Sequence, residues 1–254
     1  MQALLLLAAL LAGANADLGC RVVPGKLKQV DAGAGAVYGV GSNGTIWRWD
    51  TSTWVNVPGE AIHVSAGPAG VWCVNKVNFI YKLQDNTWVQ VAGLLKQIDA
   101  GGNKLVAGAN FVDAPYCLSE AAVLARPPTP AWVYVVGGLK YYSCGLRGCW
   151  GVNAGNAIYY RSGTSSVACA GSSWTNVAGS LVMIEVGTDG SVYGVNSEGT
   201  VYQREGITNS NPMGTQWKAL DFCSKIKHVT FDSGALWLIN EKEEIYRCSE
   251  ESDV

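Results

Sequence analysis

An all-β fold, a six-bladed β-propeller with four antiparallel strands per blade, is what this sequence predicts, and three observations predict it. First, residues 37–47 (Val-Tyr-Gly-Val-Gly-Ser-Asn-Gly-Thr-Ile-Trp) recur at 71–81, 106–116, 150–159, 192–202 and 236–246. Aligned, the copies place Gly41, Asn75, Asn110, Asn153, Asn196 and Asn240 at one position. Six residues later stand Trp47, Tyr81, Tyr116, Tyr159, Tyr202 and Tyr246, and the copies are spaced by 34, 35, 43, 43 and 44 residues. Periods of this size mark solenoids, arrays or propellers. Second, each period reads as four short strands joined by tight turns, which is the pattern of a propeller blade. Third, the last repeat lacks a strand that the N-terminus can supply.

Within the first repeat, residues 28–32 alternate, 33–35 make a glycine-rich turn, and 36–41 form a second, apolar strand. Ser42-Asn43-Gly44 is a tight turn, because Asn and Gly both tolerate positive φ. Residues 45–49 are the third strand and 53–57 the fourth, closed by Pro58-Gly59. The fourth-strand signature, a Trp three residues before an apolar residue and a turn, returns at Trp88, Trp132, Trp174 and Trp217. At the other end, Cys20-Arg21-Val22-Val23-Pro24-Gly25 matches Trp54-Val55-Asn56-Val57-Pro58-Gly59 in spacing, with Cys20 in the Trp position. If this segment joins the last blade, Cys20 falls beside Cys248. A disulfide there would close a loop of over two hundred residues, nominally on the order of 4 to 5 kcal/mol in the chain-entropy model.

Residues 1–16 are an apolar run ending in Ala14-Asn15-Ala16, the small-x-small form of a signal-peptidase site. The expectation is a cleaved secretory signal, with residues 17–254 forming the propeller. Eight cysteines in a secreted chain argue for disulfides. Cys144 and Cys149 flank a hairpin turn and form a second expected pair; a zinc site there would lack a nearby His partner. For Cys73, Cys117, Cys169 and Cys223 three pairings stay open. A formal charge of −2 gives no reason to expect nucleic acid or acidic lipid as partner, and after residue 16 no apolar stretch is long enough for membrane insertion. Asn43-Gly44-Thr45 is a glycosylation sequon in a predicted turn, with an unused sequon as the alternative. The loops 119–130, 162–173 and 205–216 lengthen repeats three to five, as specificity loops or as tolerated insertions.

The repeated Val-Tyr-Gly-Val-Asn-x-x-Gly-x-Ile-Tyr and the Trp-x-x-Val-x-Gly strand resemble tectonin repeats, and the secreted six-repeat chain is similar to the tectonin β-propeller lectins. The third repeat departs from the pattern at Ala107 and Pro115. The resemblance implies non-catalytic binding of carbohydrate, N-acetylglucosamine or related bacterial-surface and egg glycans, with a role in innate defence and a homodimer as a further expectation.

Sugar recognition needs an aromatic face and amide groups, and several weak sites sum by multivalency. The candidates are Asn75, Asn153, Asn196 and Asn240, with Asn110 beside them, and Tyr81, Tyr159, Tyr202 and Tyr246. Against them, an Asn before a turn commonly bonds its own backbone, and an aromatic repeated in every blade packs between blades. On the innermost strands one position reads Asp31, Ser65, Asp99, Ser143, Glu185 and Thr230. Asp31, Asp99 and Glu185 would suit Ca²⁺ in the axial channel; alternatively these acids bond neighbouring amides. His63 and His228 occupy equivalent positions near the channel, with Gln29 and Gln97. Arginines are scattered singly and no catalytic motif context is present, so an enzyme is not expected. The rival reading is a protein-interaction propeller, which would show one continuous exposed patch instead of repeated equivalent pockets.

Overall fold

The structure, a computed structural model, describes residues 18–102 and 104–250; the expected signal segment 1–16 lies outside them. It contains six four-stranded antiparallel sheets arranged as blades. The innermost strands are Gln29–Gly33, His63–Gly67, Gln97–Asp99, Tyr141–Gly145, Met183–Val186 and Ile226–Asp232. Each is followed outward by the next two strands of its repeat. In five blades the outermost strand comes next: Trp54–Glu60, Thr87–Leu94, Val133–Tyr134, Trp174–Ser180 and Gln216–Leu220. In the sixth blade the outermost strand is the N-terminal Leu18–Val23, paired antiparallel with Ile245–Glu250 so that Cys20 faces Cys248. The Cys20–Cys248 disulfide forms there, with the two Cα atoms 4.0 Å apart.

Burial between blades explains the repeat. The second-strand position of the motif carries Tyr38, Trp72, Ala107, Trp150, Tyr193 and Trp237, all buried. Val30, Val64, Ile98, Tyr142, Ile184 and Val229, each 0% exposed, fill the positions between the polar residues of the innermost strands. Period-2 alternation therefore sends apolar side chains into the seams and polar ones toward the axis. Pro115 is tolerated because it opens its strand.

Two expectations need correction. Loop 119–130 contains a short helix, Glu120–Leu124, with Ala122 and Val123 buried; one turn is too brief to leave a helical period in the sequence. The cysteines also make fewer pairs than their even number suggested. Cys144–Cys149 forms as expected and Cys117–Cys169 ties the third strand of blade three to the long loop of blade four. Cys73 and Cys223 remain thiols, the first buried in blade two, the second exposed in the linker from blade five to blade six. Burial pushes the Cys73 thiol up to about 12, so it behaves as a small apolar side chain.

Candidate functional site

An antiparallel meander places the turns after its first and third strands at one end and those after its second and fourth at the other. One end of the ring, the loop face, therefore carries the long loops of blades three to five. The opposite end, the Asn face, carries the Asn turns and the inter-blade linkers. The loops are also fastened down. Besides the Cys117–Cys169 bridge, Glu120 N–H bonds Ser166 O at 2.7 Å. Arg161 and Arg204 donate to Ala170 O and Met213 O, at 2.8 and 2.7 Å, while lying over Trp174 and Trp217. The candidate loops and the candidate Asn residues are thus on opposite faces.

On the Asn face grooves run along the seams between blades six and one, one and two, and two and three. The seam wall is built by the outer-strand Trp of one blade reaching to the end of the preceding blade's outermost strand. Trp88, Trp132, Trp174 and Trp217 donate their indole N–H to Pro58, Ala92, Val136 and Ala178 carbonyls at 2.8, 2.9, 2.6 and 3.1 Å. The residue after each acceptor is Gly at φ from 120° to 142° (Gly59, Gly93, Gly137, Gly179), and at Gly93 a Cβ would come 2.6 Å from the Trp132 nitrogen. Only glycine lets the indole seat there. These tryptophans are seam-builders, as a packing reading expects.

Three grooves open to about 260–300 Å³. Between blades one and two the lining includes Asn75, Tyr81 and Trp88; between two and three, Asn110, Phe111, Tyr116 and Trp132. Between six and one it holds Trp47 and Trp54, and the Trp54 indole nitrogen has no hydrogen-bond partner among the described residues. Asn75 Oδ1 accepts from Val77 N and Phe79 N at 3.1 and 2.9 Å. Equivalent caps form at Asn110 and Asn196, and Asn153 accepts from Ala157 N. The turn-capping reading is therefore right for Oδ1. Each of these amides still keeps its Nδ2 donor free of any protein hydrogen bond among the described residues.

Asn240 departs from that set. It is 1% exposed, and its Nδ2 is spent on Ser224 Oγ and Glu244 Oε2 at 3.0 and 2.7 Å. No donor remains there for a ligand. Tyr246 borders a separate pocket with Leu18, Phe222 and Cys223, whereas Tyr159 packs edge-on against Trp174 and Tyr202 against the core of blades four to six. Sequence reasoning missed Phe111, which is 62% exposed, because it lies in a turn that varies between repeats. Asn43 is exposed, its Oδ1 accepting from Thr45 N at 3.1 Å and from the Thr45 hydroxyl.

The axial ring is buried throughout. Asp31 takes Ala66 N–H at 2.7 Å and the Thr230 hydroxyl at 3.0 Å. Asp99 takes Cys144 N–H at 2.8 Å and stands 3.1 Å from the Ser143 hydroxyl, which also lies 2.8 Å from Glu185. Tyr141 donates to the other Glu185 oxygen at 3.3 Å. The hydroxyl positions continue the pattern: Ser65, Ser143 and Thr230 accept from Ala100, Val186 and Ala32 N–H groups of the following blade. Gln29 and Gln97 each bond both the N–H and the C=O of the neighbouring strand, at Val64 and Tyr142. Burial raises the Asp31 carboxyl to about 6. Burial, with the Asp31 charge beside it, raises Asp99 to about 7, and burial with both neighbours holds Glu185 well above the usual range. Every oxygen of Asp31, Asp99 and Glu185 already has a partner, and among the described residues no group of three His, Cys, Asp or Glu is placed to hold a metal. These residues do not fit Ca²⁺; they fit an inter-blade clasp.

Among the described residues, twenty-four strands in six sheets, closed by the N-terminal strand joining the last blade, define a six-bladed β-propeller. Residues 26–241 match the tectonin domain model, and the chain belongs to the tectonin family. It is 54% identical over 235 residues to fish-egg lectin of Cyprinus carpio, covering 91% of this chain and 98% of that one. It is 31% identical over 119 residues to the perivitellin-2 31 kDa subunit of Pomacea maculata, covering 45% and 40%. Among solved structures, Prp20p of Saccharomyces cerevisiae superposes with a TM-score of 0.56 at 12% identity, covering 86% of this chain and 70% of that chain. At that identity the likeness concerns the fold alone.

Proposed function

We propose that the protein is an extracellular, non-catalytic lectin whose carbohydrate sites are the inter-blade grooves of the Asn face. The observation that carries this reading is the repetition of one groove, each with an aromatic wall, in three adjacent seams. Two of the three also offer an amide donor, from Asn75 and Asn110. An indole or phenol face suits the C–H surface of a pyranose, and a free Nδ2 suits a hydroxyl or acetamide oxygen. N-acetylglucosamine is the proposed sugar, presented on bacterial surfaces or egg glycans in a defensive role. Weak grooves on one face gain avidity when the glycan is also repeated. Support comes from the fish-egg lectin relative and from three disulfides that suit an oxidising compartment.

The test is retention on N-acetylglucosamine resin and on a glycan array. Changing Asn75, Asn110, Asn153 and Asn196 to Asp keeps the Oδ1 cap but removes the Nδ2 donor. Retention should fall by about tenfold or more with little change in Tm. Wild-type protein that binds no glycan would overturn the lectin reading and favour a protein partner.

A further inference from the structure

The three grooves are not equal. Gly41 stands where the other two have Asn75 and Asn110, so the groove between blades six and one has no amide at that place. Its indoles are less committed. Trp54 Nε1 lacks the strand carbonyl that holds Trp88 and Trp132. Trp47, the other aromatic wall, makes no indole hydrogen bond among the described residues.

The turn that lacks the amide carries the sequon. In the repeat alignment residues 43, 77 and 112 are equivalent, and Val77 lines the groove between blades one and two. Asn43 therefore stands on the rim of the groove between blades six and one. Two contacts fix it there. A Cβ on Gly41 would come 3.0 Å from Asn43 Oδ1 and 3.7 Å from Trp47 Nε1, so the Asn43 amide and the groove wall flank the same bare glycine. Ser42 donates its hydroxyl to Glu243 of blade six at 2.5 Å, pinning the turn across the seam. Asn43 Oδ1 is held by Thr45 N–H and the Thr45 hydroxyl. Its Nδ2, the atom that carries an N-linked glycan, has no protein partner among the described residues.

The first sugar of an N-linked glycan is N-acetylglucosamine, joined to Nδ2 without a spacer. It is the sugar proposed for the grooves. A pyranose on Asn43 has the Trp47 ring beside it as an apolar face and the indole N–H as a donor. A ligand tethered at the rim of its own site acts at an effective concentration on the order of millimolar. Even a weak groove is then filled from within before free sugar competes.

We propose that a glycan on Asn43 folds back so that its first N-acetylglucosamine occupies the groove between blades six and one against Trp47. The grooves lined by Asn75 and Asn110 are left for external glycans, and the sequon sets how many grooves the secreted protein presents. This inference rests on the groove reading above.

Indole N–H signals in the NMR spectrum of the full chain, secreted from a eukaryotic host, test it with N-acetylglucosamine as the added probe. In glycosylated wild type the sugar should shift Trp88 and Trp132, the walls of the other two grooves, at concentrations at least several-fold below any that move Trp47. Thr45→Ala abolishes the sequon but keeps the Asn43 side chain. There Trp47 should respond in the same range as Trp88 and Trp132, and Asn43→Gln should match it. Wild type trimmed by an endoglycosidase to a single N-acetylglucosamine should still behave as the untrimmed protein. A Trp47 response equal in wild type and Thr45→Ala, a trimmed protein that responds like Thr45→Ala, or wild type without a glycan on Asn43 overturns the proposal. Silence of Trp88 and Trp132 in every form instead overturns the groove reading itself, and this inference with it.

Discussion

The position that follows the buried second-strand aromatic shows how the repeat tolerates change. Gly39, Gly108, Gly151 and Gly194 occupy it in four blades, each under a leucine of the preceding linker; a Cβ on Gly151 would come 2.4 Å from Leu139 Cδ1. Blade two has the reverse arrangement, with Cys73 at that position and Ala61 where the leucine stands. Volume is exchanged across the contact, not added. Gly151→Cys alone should cost about 1 to 3 kcal/mol by overpacking, and Leu139→Ala alone about 2 to 5 by leaving a cavity. Together they recreate the blade-two pair, so urea unfolding should show the double variant more stable than the summed singles by about 0.5 to 3 kcal/mol. Strict additivity would show that the two sites do not share the space. At Asn43 the exposed turn predicts one N-linked glycan on protein secreted from a eukaryotic host, read as a mass loss on peptide N-glycosidase treatment. An unchanged mass would leave the Asn-Gly pair with only its turn to make.

The innermost strand is the element whose chemistry is most unusual, and its titration sets a pH dependence. Asp31 and Asp99 ionise in the fold at about 6 and about 7, against 3.8 for the free side chain. The unfolded chain has already released these protons in the interval between. Their stabilising contribution is therefore complete below about 4 and is lost as pH rises through 6 and 7. Glu185 extends that loss to higher pH. His63 and His228 act in the opposite sense. Burial first, with the His228 and Lys28 charges adding for His63 and Lys227 for His228, lowers both to about 3. Their contribution is present above about 6.5 and lost as pH falls toward 3. Hydrogen-bonded surface acids such as Glu120 and Glu243, lowered by their partners, also lose their small contribution on acidification. The expected profile is a Tm maximum in mildly acidic solution and a decline toward pH 8. Glu185→Gln, isosteric and never charged, should flatten the alkaline side. A wild-type Tm higher at pH 8 than at pH 5.5 would contradict this account of the ring. The alternation of acids and hydroxyls was legible from the repeat, because it recurs at fixed spacing. Whether the acids faced a cation or the next blade's amides was not, since that depends on how far one blade stands from its neighbour.

At the scale of the whole ring, what the sequence made legible and what it did not follow one rule: features that repeat are readable, and features that depend on a single blade are not. The six blades and their closure repeat or complete a repeat. The helix Glu120–Leu124, the Cys117–Cys169 bridge and the burial of Asn240 belong to one place each. The placement of loops and grooves on opposite faces is a consequence of strand direction, available only once the strands are counted. Closure itself makes the last prediction. Cys20–Cys248 spans 228 residues and Cys144–Cys149 only 5, with nearly the same geometry, 4.0 Å between Cα atoms in both. In the chain-entropy model the first constrains the unfolded state by on the order of 5 kcal/mol and the second by about 2. The long bridge also holds the strand Leu18–Val23, without which the last blade exposes the edge of Ile245–Glu250 and the first and last blades can part. Replacing Cys20 and Cys248 by Ser should therefore lower Tm clearly more than replacing Cys144 and Cys149, and should open the ring to proteolysis near residue 24. If the two variants melt together, strand pairing alone closes the ring, and the disulfide only secures a junction that is already made.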